Sequence, residues 1–294
     1  MPLDSPRLLA AAITACALFA TACGAGDDTP DAAPTDGTPR AIVSLSPVST
    51  EMLYAVGAGD QVIAVDDQSD YPAGIPVTEL SGYTPNVEAI LGYEPDLVVA
   101  NADTADLVAG LEQAGVETLI LPAAQNLDDT YAQIEQVGAA TGHVGDAAEL
   151  VAQMRGEVDE IVAALPERQV PLRYYHELDD TYYSVTDDTY IGEIFSMFGL
   201  TSIATGDNGY PQLSAEFIVE ENPDVVFLAD GQCCGVTPEN VAQRAGWNEL
   251  TAVRDGHVYV LDEDLASRWG PRVVDLMREV AGIVAGIPAA QPAS

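Results

Sequence analysis

One short pattern occurs twice in this chain, 128 positions apart. The segments 86–90 (NVEAI) and 95–99 (PDLVV) match 214–218 (SAEFI) and 223–227 (PDVVF), with Glu, Ile, Pro, Asp and Val in equivalent places. In each copy, a residue that can cap a helix precedes a short helix pattern, and a buried-strand pattern follows. A chain that repeats a helix–strand unit in this way is constrained to fold as two similar lobes.

A long amphipathic helix is predicted between the two copies, over 146–165. Its apolar residues recur at spacings of three and four, as one buried helix face requires. Asp146 and Glu149 form a start that resembles a capping box, and Pro166 follows the end. Twenty residues at about 1.5 Å each span roughly 30 Å, the width of a small domain. This helix is therefore predicted to bridge the lobes.

Short strand patterns alternate with helix patterns on both sides of the bridging helix, which is typical of βα units around a mostly parallel sheet. The predicted fold is α/β, with two similar lobes over 40–145 and 166–288 and a ligand cleft between them, beyond the carboxyl ends of the strands. The predicted strands cover 41–45, 62–65, 97–100, 118–121, 172–175, 182–185, the repeated 223–227 and 257–261. The predicted helices cover 87–93, 107–114, 127–140, 190–198 and 273–285, and one more follows a cap at Ser49 or Thr50.

The charge balance excludes two classes of partner. The chain has 47 acidic residues and 10 basic ones, all of them arginine, so its formal net charge is −37. A surface this negative repels phosphate backbones, which excludes nucleic-acid binding. It also argues against adsorption to anionic lipid through a basic patch. Almost half of the residues are apolar, so the chain can still build a sizeable core.

The first residues predict export and a lipid anchor. Residues 1–22 combine Arg7 with an apolar run that is too short for a membrane span, as in a signal peptide. The run ends in ATAC at 20–23, which resembles a lipoprotein box, although Ala20 stands where leucine is usual. Cys23 is the expected lipidation site; alternatively it is an ordinary residue of a cleaved leader. Residues 23–39 are rich in Pro, Asp, Thr and Gly and predict a flexible tether, which places the protein outside the cytoplasm.

Motifs for catalysis are missing from the sequence. It contains no phosphate-binding glycine loop and no GxSxG nucleophile motif, and its three histidines lack metal-ligand spacing. We therefore predict a binding protein rather than an enzyme, with no cofactor and no protein-held metal. Cys233 and Cys234 are adjacent, so they form either a strained vicinal disulfide or two thiols, with a structural or a ligand-site role.

Five residues are candidates for contact with a ligand. Tyr83 and Tyr210 precede the two repeated helix patterns and are expected on corresponding loops, where aromatic side chains offer large contact areas. Arg268 and Trp269 lie in one arginine-containing loop that suits an anionic or carbonyl-rich ligand. His176 ends a predicted strand. The alternatives are that the aromatic residues cover an apolar edge, that the arginine forms a structural ion pair and that the histidine is structural.

Glu88 and Glu216 each occupy the first turn of a repeated helix. The helix dipole alone stabilises a carboxylate there by about 0.3–1 kcal/mol, which is the simpler explanation. Their symmetric placement, one in each lobe, favours a second one: two matching acidic contacts for a two-fold symmetric partner with basic pockets.

Several motifs in order make the chain resemble the extracytoplasmic substrate-binding lipoproteins of ABC importers for cobalamin, haem and ferric siderophores. The resemblance covers about 40 to 285 and implies two lobes bridged by one long helix. It implies that Glu88 and Glu216 pair with arginines of the two permease subunits, and that Tyr83, Tyr210 and Trp269 contact the ligand. The motifs are 42–47 (IVSLSP) with Thr50 and Glu51, 56–60 (VGAGD), 70–72 (DYP), 86–88 (NVE) with 95–98 (PDLV), and Glu216 with 223–226 (PDVV).

The implied function is that of a monomeric, lipid-anchored receptor that delivers a metal chelate to a permease dimer with its ATPase. A ferric siderophore is expected first, cobalamin second and haem third. Two features depart from the family pattern: a tyrosine, Tyr83, stands where the cobalamin binder has tryptophan, and the loop around Cys233 and Cys234 has no counterpart. The alternatives are a receptor for a free divalent metal and an exported α/β hydrolase, which would need a nucleophilic serine beside a histidine.

Overall fold

The computed structural model describes residues 37–166, 168–206 and 208–288. The predicted signal peptide, Cys23 and most of the tether lie outside these residues. None of the helices within the described ranges combines the length and the apolar character that crossing a bilayer requires.

The N-terminal lobe contains a four-stranded parallel sheet with the strand order β2-β1-β3-β4. The apolar runs that the sequence indicated form its strands, of which β4 is only partly buried, and helical segments connect consecutive strands. The strands are β1 (Ile42–Ser44), β2 (Val62–Val65), β3 (Leu97–Ala100) and β4 (Glu117–Ile120). The helices are α1 (Pro47–Ala55), α2 (Val87–Leu91), α3 (Leu107–Gln113) and α4 (Leu127–Thr141), with a 3-10 turn at Gly59–Gln61.

The bridging helix, α5, spans Val144–Ala163 and lies between the two sheets in the chain. It begins two residues earlier than predicted, and the expected capping box is wrong. His143 occupies the N-cap position without a side-chain cap, and the Asp146 carboxylate instead accepts a 3.1 Å hydrogen bond from His143 Nδ1. Val151, Met154 and Val158 lie on its buried face, as the spacing predicted.

The C-terminal lobe repeats the first topology with the strand order β6-β5-β7-β8, again all parallel. The fold is therefore the predicted α/β arrangement of two similar lobes. The strands are β5 (Leu172–Glu177), β6 (Leu200–Ser202), β7 (Val225–Leu228) and β8 (Val258–Val260). The helices are α6 (Tyr190–Met197), α7 (Ala215–Glu221), α8 (Gly231–Cys234), α9 (Pro238–Ala242), α10 (Thr251–Asp255), α11 (Glu263–Ser267) and α12 (Val273–Gly286), with a 3-10 turn at Trp247–Glu249.

The repeated Pro-Asp pair has the same structural role in each lobe. The Asp96 carboxylate accepts 2.8 and 3.2 Å hydrogen bonds from the backbone N–H groups of Arg40 and Ala41, just before β1. The Asp224 carboxylate accepts a 2.8 Å hydrogen bond from the backbone N–H of Arg173, at the start of β5. Each aspartate thus fixes the entry of a central strand, which explains in physical terms why the pattern occurs twice.

One hydrophobic core runs through both lobes. Its buried side chains come from α1, α4 and α5, from α6 and β7 of the C-terminal lobe, and from α12, for example Met52, Ile134, Met154, Phe195 and Val280. Burying each side chain of this size contributes about 1.5–3 kcal/mol. Two smaller clusters cover the outer sheet faces, one in each lobe. Because the main core is shared, the spacing of the lobes is set by packing as well as by α5.

Two local predictions are wrong. Helix α1 begins at Pro47 after Ser46, so Ser49 and Thr50 are buried inside it rather than capping it. Thr50 Oγ1 instead lies 2.9 Å from Ser44 Oγ and 2.9 Å from Ser69 Oγ. The segment 182–185 is not a strand, since it forms a single bridge at Tyr183 and begins with a left-handed φ of 67° at Tyr182.

Candidate functional site

A cleft lies where the lobes meet, beyond the carboxyl ends of their strands. It consists of two adjoining cavities of about 310 and 370 Å³ that share the wall Ser267, Arg268 and Trp269. Open α/β sheets bind ligands at this edge. Ser46, Pro47, Val48, Gln68, Tyr83, Asn101 and Asp264 complete the first cavity, and Ala123, Ala124, Gln125, Leu178, Val185, Tyr190, Ile191, Tyr210, Ala229 and Ala266 complete the second.

Tyr83 projects from the loop that follows β2 and is 79% exposed at the first cavity. Gly82 allows this loop to lie against the end of β1: a Cβ there would lie 2.1 Å from the carbonyl oxygen of Leu45. No larger residue fits at this position, so Gly82 sets where the tyrosine ring stands. Tyr210 lies at the second cavity, 48% exposed. Tyr83 and Tyr210 thus line the two adjoining cavities, one from each lobe, and their contact with a ligand stays a prediction.

Trp269 forms part of both cavities and is held by α4 of the N-terminal lobe. Its indole Nε1 donates a 3.1 Å hydrogen bond to Gln133 Oε1, and its carbonyl oxygen accepts a 3.0 Å hydrogen bond from Thr130 Oγ1. Tyr190, from the C-terminal lobe, has its hydroxyl 3.1 Å from the same Thr130 oxygen. The tryptophan is thus a fixed wall of the cleft.

Arg268 is part of the cleft wall and also forms the structural ion pairs that the sequence left as an alternative. Its guanidinium lies 3.0 Å from Glu51, 2.8 Å from Asp70 and 2.6 Å from Asp264. Burial alone would raise the pKa of Asp70, but the hydrogen bond and charge of Arg268 lower it. Arg272 lies 2.6 Å from Glu51 as well. Three carboxylates therefore neutralise the two cations of this loop.

His176 does not line the cleft. Strand β5 extends to Glu177, two residues beyond its predicted end, so the histidine lies inside the strand with no exposed surface. Its ring packs against Phe195 at 5.6 Å between centroids. Burial lowers the pKa of His176 to about 4, so the ring is neutral near pH 7. The prediction that it contacts ligand is wrong, because its strand is longer than its apolar pattern suggested.

A buried charged cluster behind the second cavity was not anticipated from the sequence. Glu177 has no exposed surface and accepts two hydrogen bonds from Arg244, of 2.5 and 2.7 Å. Asp230 is also fully buried, and neither of its carboxylate oxygens has a hydrogen-bond partner. Burial first, and then the negative charge of Glu177, raise the pKa of Asp230 to about 7. Glu177 and Asp230 come together only because the ends of the paired strands β5 and β7 are adjacent.

The raised pKa of Asp230 predicts a pH-dependent gain from Asp230→Asn. The folded state favours the protonated Asp230 carboxyl. The contribution of this residue to the free energy of unfolding therefore decreases as pH rises from about 4 to about 7. The amide removes this cost, and we expect the variant to be more stable by about 1–4 kcal/mol at pH 8 and much less so at pH 4.5. Urea denaturation of both proteins at both pH values measures the difference. An equal gain at the two pH values would contradict the assignment.

Cys233 and Cys234 lie on the short helix α8 and are exposed free thiols outside both cavities. A hydrogen bond from Cys234, together with the negative charge of the nearby Glu263, raises the pKa of Cys233. Across the described residues, no three His, Cys, Asp or Glu side chains are placed to hold a metal ion.

A family model described as periplasmic binding protein matches residues 42–265, which include both sheets and the cleft. The chain belongs to this family. It is therefore a substrate-binding protein and not an enzyme, and the exported hydrolase considered above is excluded. Members of the family bind small molecules outside the cytoplasm and act with the permease and ATPase components of ABC importers.

Relatives of this periplasmic binding protein are named as substrate-binding proteins. It is 33% identical over 254 residues to the ABC transporter substrate-binding lipoprotein YvrC of Bacillus subtilis, covering 83% of this chain and 79% of the relative. It is 32% identical to a cobalamin-binding protein of Halobacterium salinarum, covering 88% and 74%. The crystal structure of the periplasmic vitamin B12 binding protein BtuF of Vibrio cholerae superposes with a TM-score of 0.69 at 27% identity, covering 84% and 96%.

Glu88 and Glu216 are exposed in the first turns of α2 and α7. The caps are equivalent too: Asn86 accepts a 3.1 Å hydrogen bond from the N–H of Ala89, and Ser214 accepts one of the same length from the N–H of Phe217. In a parallel α/β sheet, a helix that leads into a strand starts at the carboxyl edge. Both glutamates of the binding protein therefore lie at the sheet edges that face the cleft.

Proposed function

We propose that this periplasmic binding protein is the receptor of an ABC importer and captures a metal chelate that carries no net negative charge. Cobalamin fits this description best, a ferric hydroxamate siderophore comes next, and haem, with its two carboxylates, comes last. The receptor delivers the chelate to a permease dimer with its ATPase. Lipid on Cys23 would hold the receptor, as a monomer, at the outer face of the membrane.

The charge of the cleft wall carries this proposal. Arg268 is paired with three carboxylates, so it offers little free positive charge to an anionic chelate. Sequence analysis placed Arg268 in a loop that suits an anionic or carbonyl-rich ligand, and these ion pairs remove that reason to favour an anionic ferric siderophore. The formal net charge of −37 adds long-range repulsion of anions.

The remaining lining suits a flat ligand with amides at its rim. Gln68, Asn101 and Gln125 contribute carboxamide groups that can both donate and accept hydrogen bonds. Tyr83 and Tyr210 contribute aromatic faces from opposite lobes. A corrin ring carries carboxamides on its periphery. The similarity to a cobalamin-binding protein of Halobacterium salinarum and to BtuF supports the same ligand.

Titration of the purified protein with four chelates tests the proposal. Cyanocobalamin, cationic ferrioxamine B, anionic ferric enterobactin and haemin differ in charge and shape. We expect cyanocobalamin to bind with a micromolar or lower Kd by calorimetry and the enterobactin complex to bind at least tenfold more weakly. Tighter binding of the anionic complex would contradict the charge argument. Failure of all four to bind at micromolar concentration would show that the ligand class is wrong.

The two tryptophans provide an internal control for the location of binding. Trp269 lines the cleft, whereas Trp247 is fully buried against Tyr175, with 5.8 Å between ring centroids. Ligand should therefore quench mainly Trp269. In Trp269→Phe, most of the quenching should disappear while calorimetry still detects binding. Undiminished quenching in this variant would place the ligand elsewhere.

A further inference from the structure

The two lobes are joined at the side of the cleft by a buried ion cluster. Glu51 lies on α1 of the N-terminal lobe and is buried. Its carboxylate accepts hydrogen bonds of 3.0 and 2.6 Å from Arg272 and one of 3.0 Å from Arg268. These arginines belong to the loop 267–272, more than 200 positions further along the chain. This loop contains the wall shared by both cavities.

The loop cannot shift without breaking this cluster. A Cβ at Gly270 would lie 3.2 Å from Glu51 Oε2, so the loop backbone lies directly against the carboxylate. The guanidinium of Arg272 also lies over the ring of Tyr71, 4.3 Å from its centre. On the far side of the loop, Trp269 is held by α4 through the two hydrogen bonds described above.

This ion cluster is better explained as a device that positions the loop 267–272 than as a source of folding stability. Burying ions has a desolvation cost that often cancels their attraction, so such pairs are a weak source of net folding energy. Removing one partner, in contrast, is strongly unfavourable, because the remaining charge is left buried. A cluster of this kind therefore allows one arrangement of the lobes and penalises others.

We propose that Glu51 is a positioning residue for ligand binding: by pairing with Arg268 and Arg272, it holds the loop 267–272 against the N-terminal lobe and fixes the width of the cleft before a ligand arrives. The inference deepens the proposed function and rests on it for the effect on affinity. The effect on the loop itself does not depend on which ligand binds.

Both arginines of the cluster keep their positive charge near neutral pH. The hydrogen bonds that Arg272 donates to Glu51 raise the pKa of Arg272 despite its partial burial. Burial acts against the charge of Arg268, but hydrogen bonds to Asp70 and Glu51 outweigh it and raise the pKa of Arg268 as well. The two positive charges that hold the loop 267–272 to Glu51 are therefore present in the folded protein near neutral pH.

The Glu51→Gln substitution preserves the shape of the side chain and removes its charge. We expect hydrogen–deuterium exchange of the ligand-free protein to become at least tenfold faster over 267–276, with the rest of the C-terminal lobe unchanged. We expect the Kd for the bound chelate to rise about tenfold. The exchanged pair, Glu51→Arg with Arg272→Glu, should recover part of both losses, because the attraction is restored.

Glu157→Gln is the matched control, because Glu157 also pairs with an arginine between two helices, Arg278 of α12, but away from the cleft. It should change neither readout. Unchanged hydrogen–deuterium exchange over 267–276 in Glu51→Gln would overturn the proposal. Weaker ligand binding without faster exchange would also overturn it, because Glu51 would then act by contacting the ligand directly. If Glu51→Gln does not fold, Glu51→Asp and Arg272→Lys take the same test. If no chelate binds the unaltered protein, the exchange measurement still decides this proposal, while the proposed function fails separately.

Discussion

Glu88→Arg together with Glu216→Arg is expected to abolish uptake of the chelate by cells while leaving its affinity for the purified protein unchanged. Both side chains are exposed in the first turn of a capped helix, one in each lobe, at the sheet edges that face the cleft. If a two-fold symmetric permease receives these tips in basic pockets, each reversal turns an attraction into a repulsion, and like charges in an interface cost several kcal/mol. The helix-dipole loss is only about 0.3–1 kcal/mol at each site, so the fold is retained.

A second pair of reversals separates docking from overall charge. Glu135 on α4 and Glu149 on α5 are also exposed, and changing both to Arg alters the net charge by the same amount. Cells that produce this control variant should take up the chelate normally. Uptake of a radiolabelled chelate into cells that produce equal amounts of each protein measures the effect, and calorimetry measures affinity. Normal uptake by the Glu88 and Glu216 variant would refute the docking assignment.

Arg244→Met is expected to lower the free energy of unfolding by about 3–5 kcal/mol, because it leaves a buried ion without its counter-charge. Glu177 is fully enclosed and loses both of its hydrogen bonds to the guanidinium, while the buried Asp230 stands beside it. Arg244 also packs over Trp247, 4.6 Å from the ring centre, so packing is lost with the charge.

Arg155→Met serves as the control for this loss. Arg155 pairs with Asp128 at 2.8 Å, but both side chains are largely exposed, so removing the pair should cost only about 0.2–1 kcal/mol. Urea denaturation at pH 8 measures both variants. Adding Glu177→Gln to Arg244→Met should recover much of the lost stability, since the uncompensated charge disappears. A double variant that is as unstable as the single one would contradict the electrostatic explanation.

The elements that sequence analysis predicted well are those with a strong local signal. The repeated pattern located α2, α7, β3 and β7, and apolar spacing located α5 to within two residues at each end. The elements α8 to α11 were missed, because helices of four or five residues carry no periodicity that distinguishes them from loops. The segment 182–185 has strand-forming residues, yet it forms only one isolated antiparallel bridge, between Tyr183 and Gln212.

The candidate site was predictable only in part, for a similar reason. Tyr83, Tyr210, Arg268 and Trp269 do line the two adjoining cavities, since the repeat and the resemblance both pointed to the loops at the sheet edges. The partners of these residues were not predictable. Glu51 meets Arg268 across 217 positions of sequence, and no local pattern reports a contact that only the folded lobes create.

Within the described residues, the last helix, α12, shares one core with the first, α1. Side chains of α12, including Val280 and Val284, belong to the same cluster as Met52 of α1 and Ile134 of α4. The apolar faces of α1 and α4 are therefore fully enclosed only when the fourteen-residue helix α12 packs against them. A fragment that lacks α12 would leave these apolar faces exposed to water, so neither lobe is expected to fold as an independent unit.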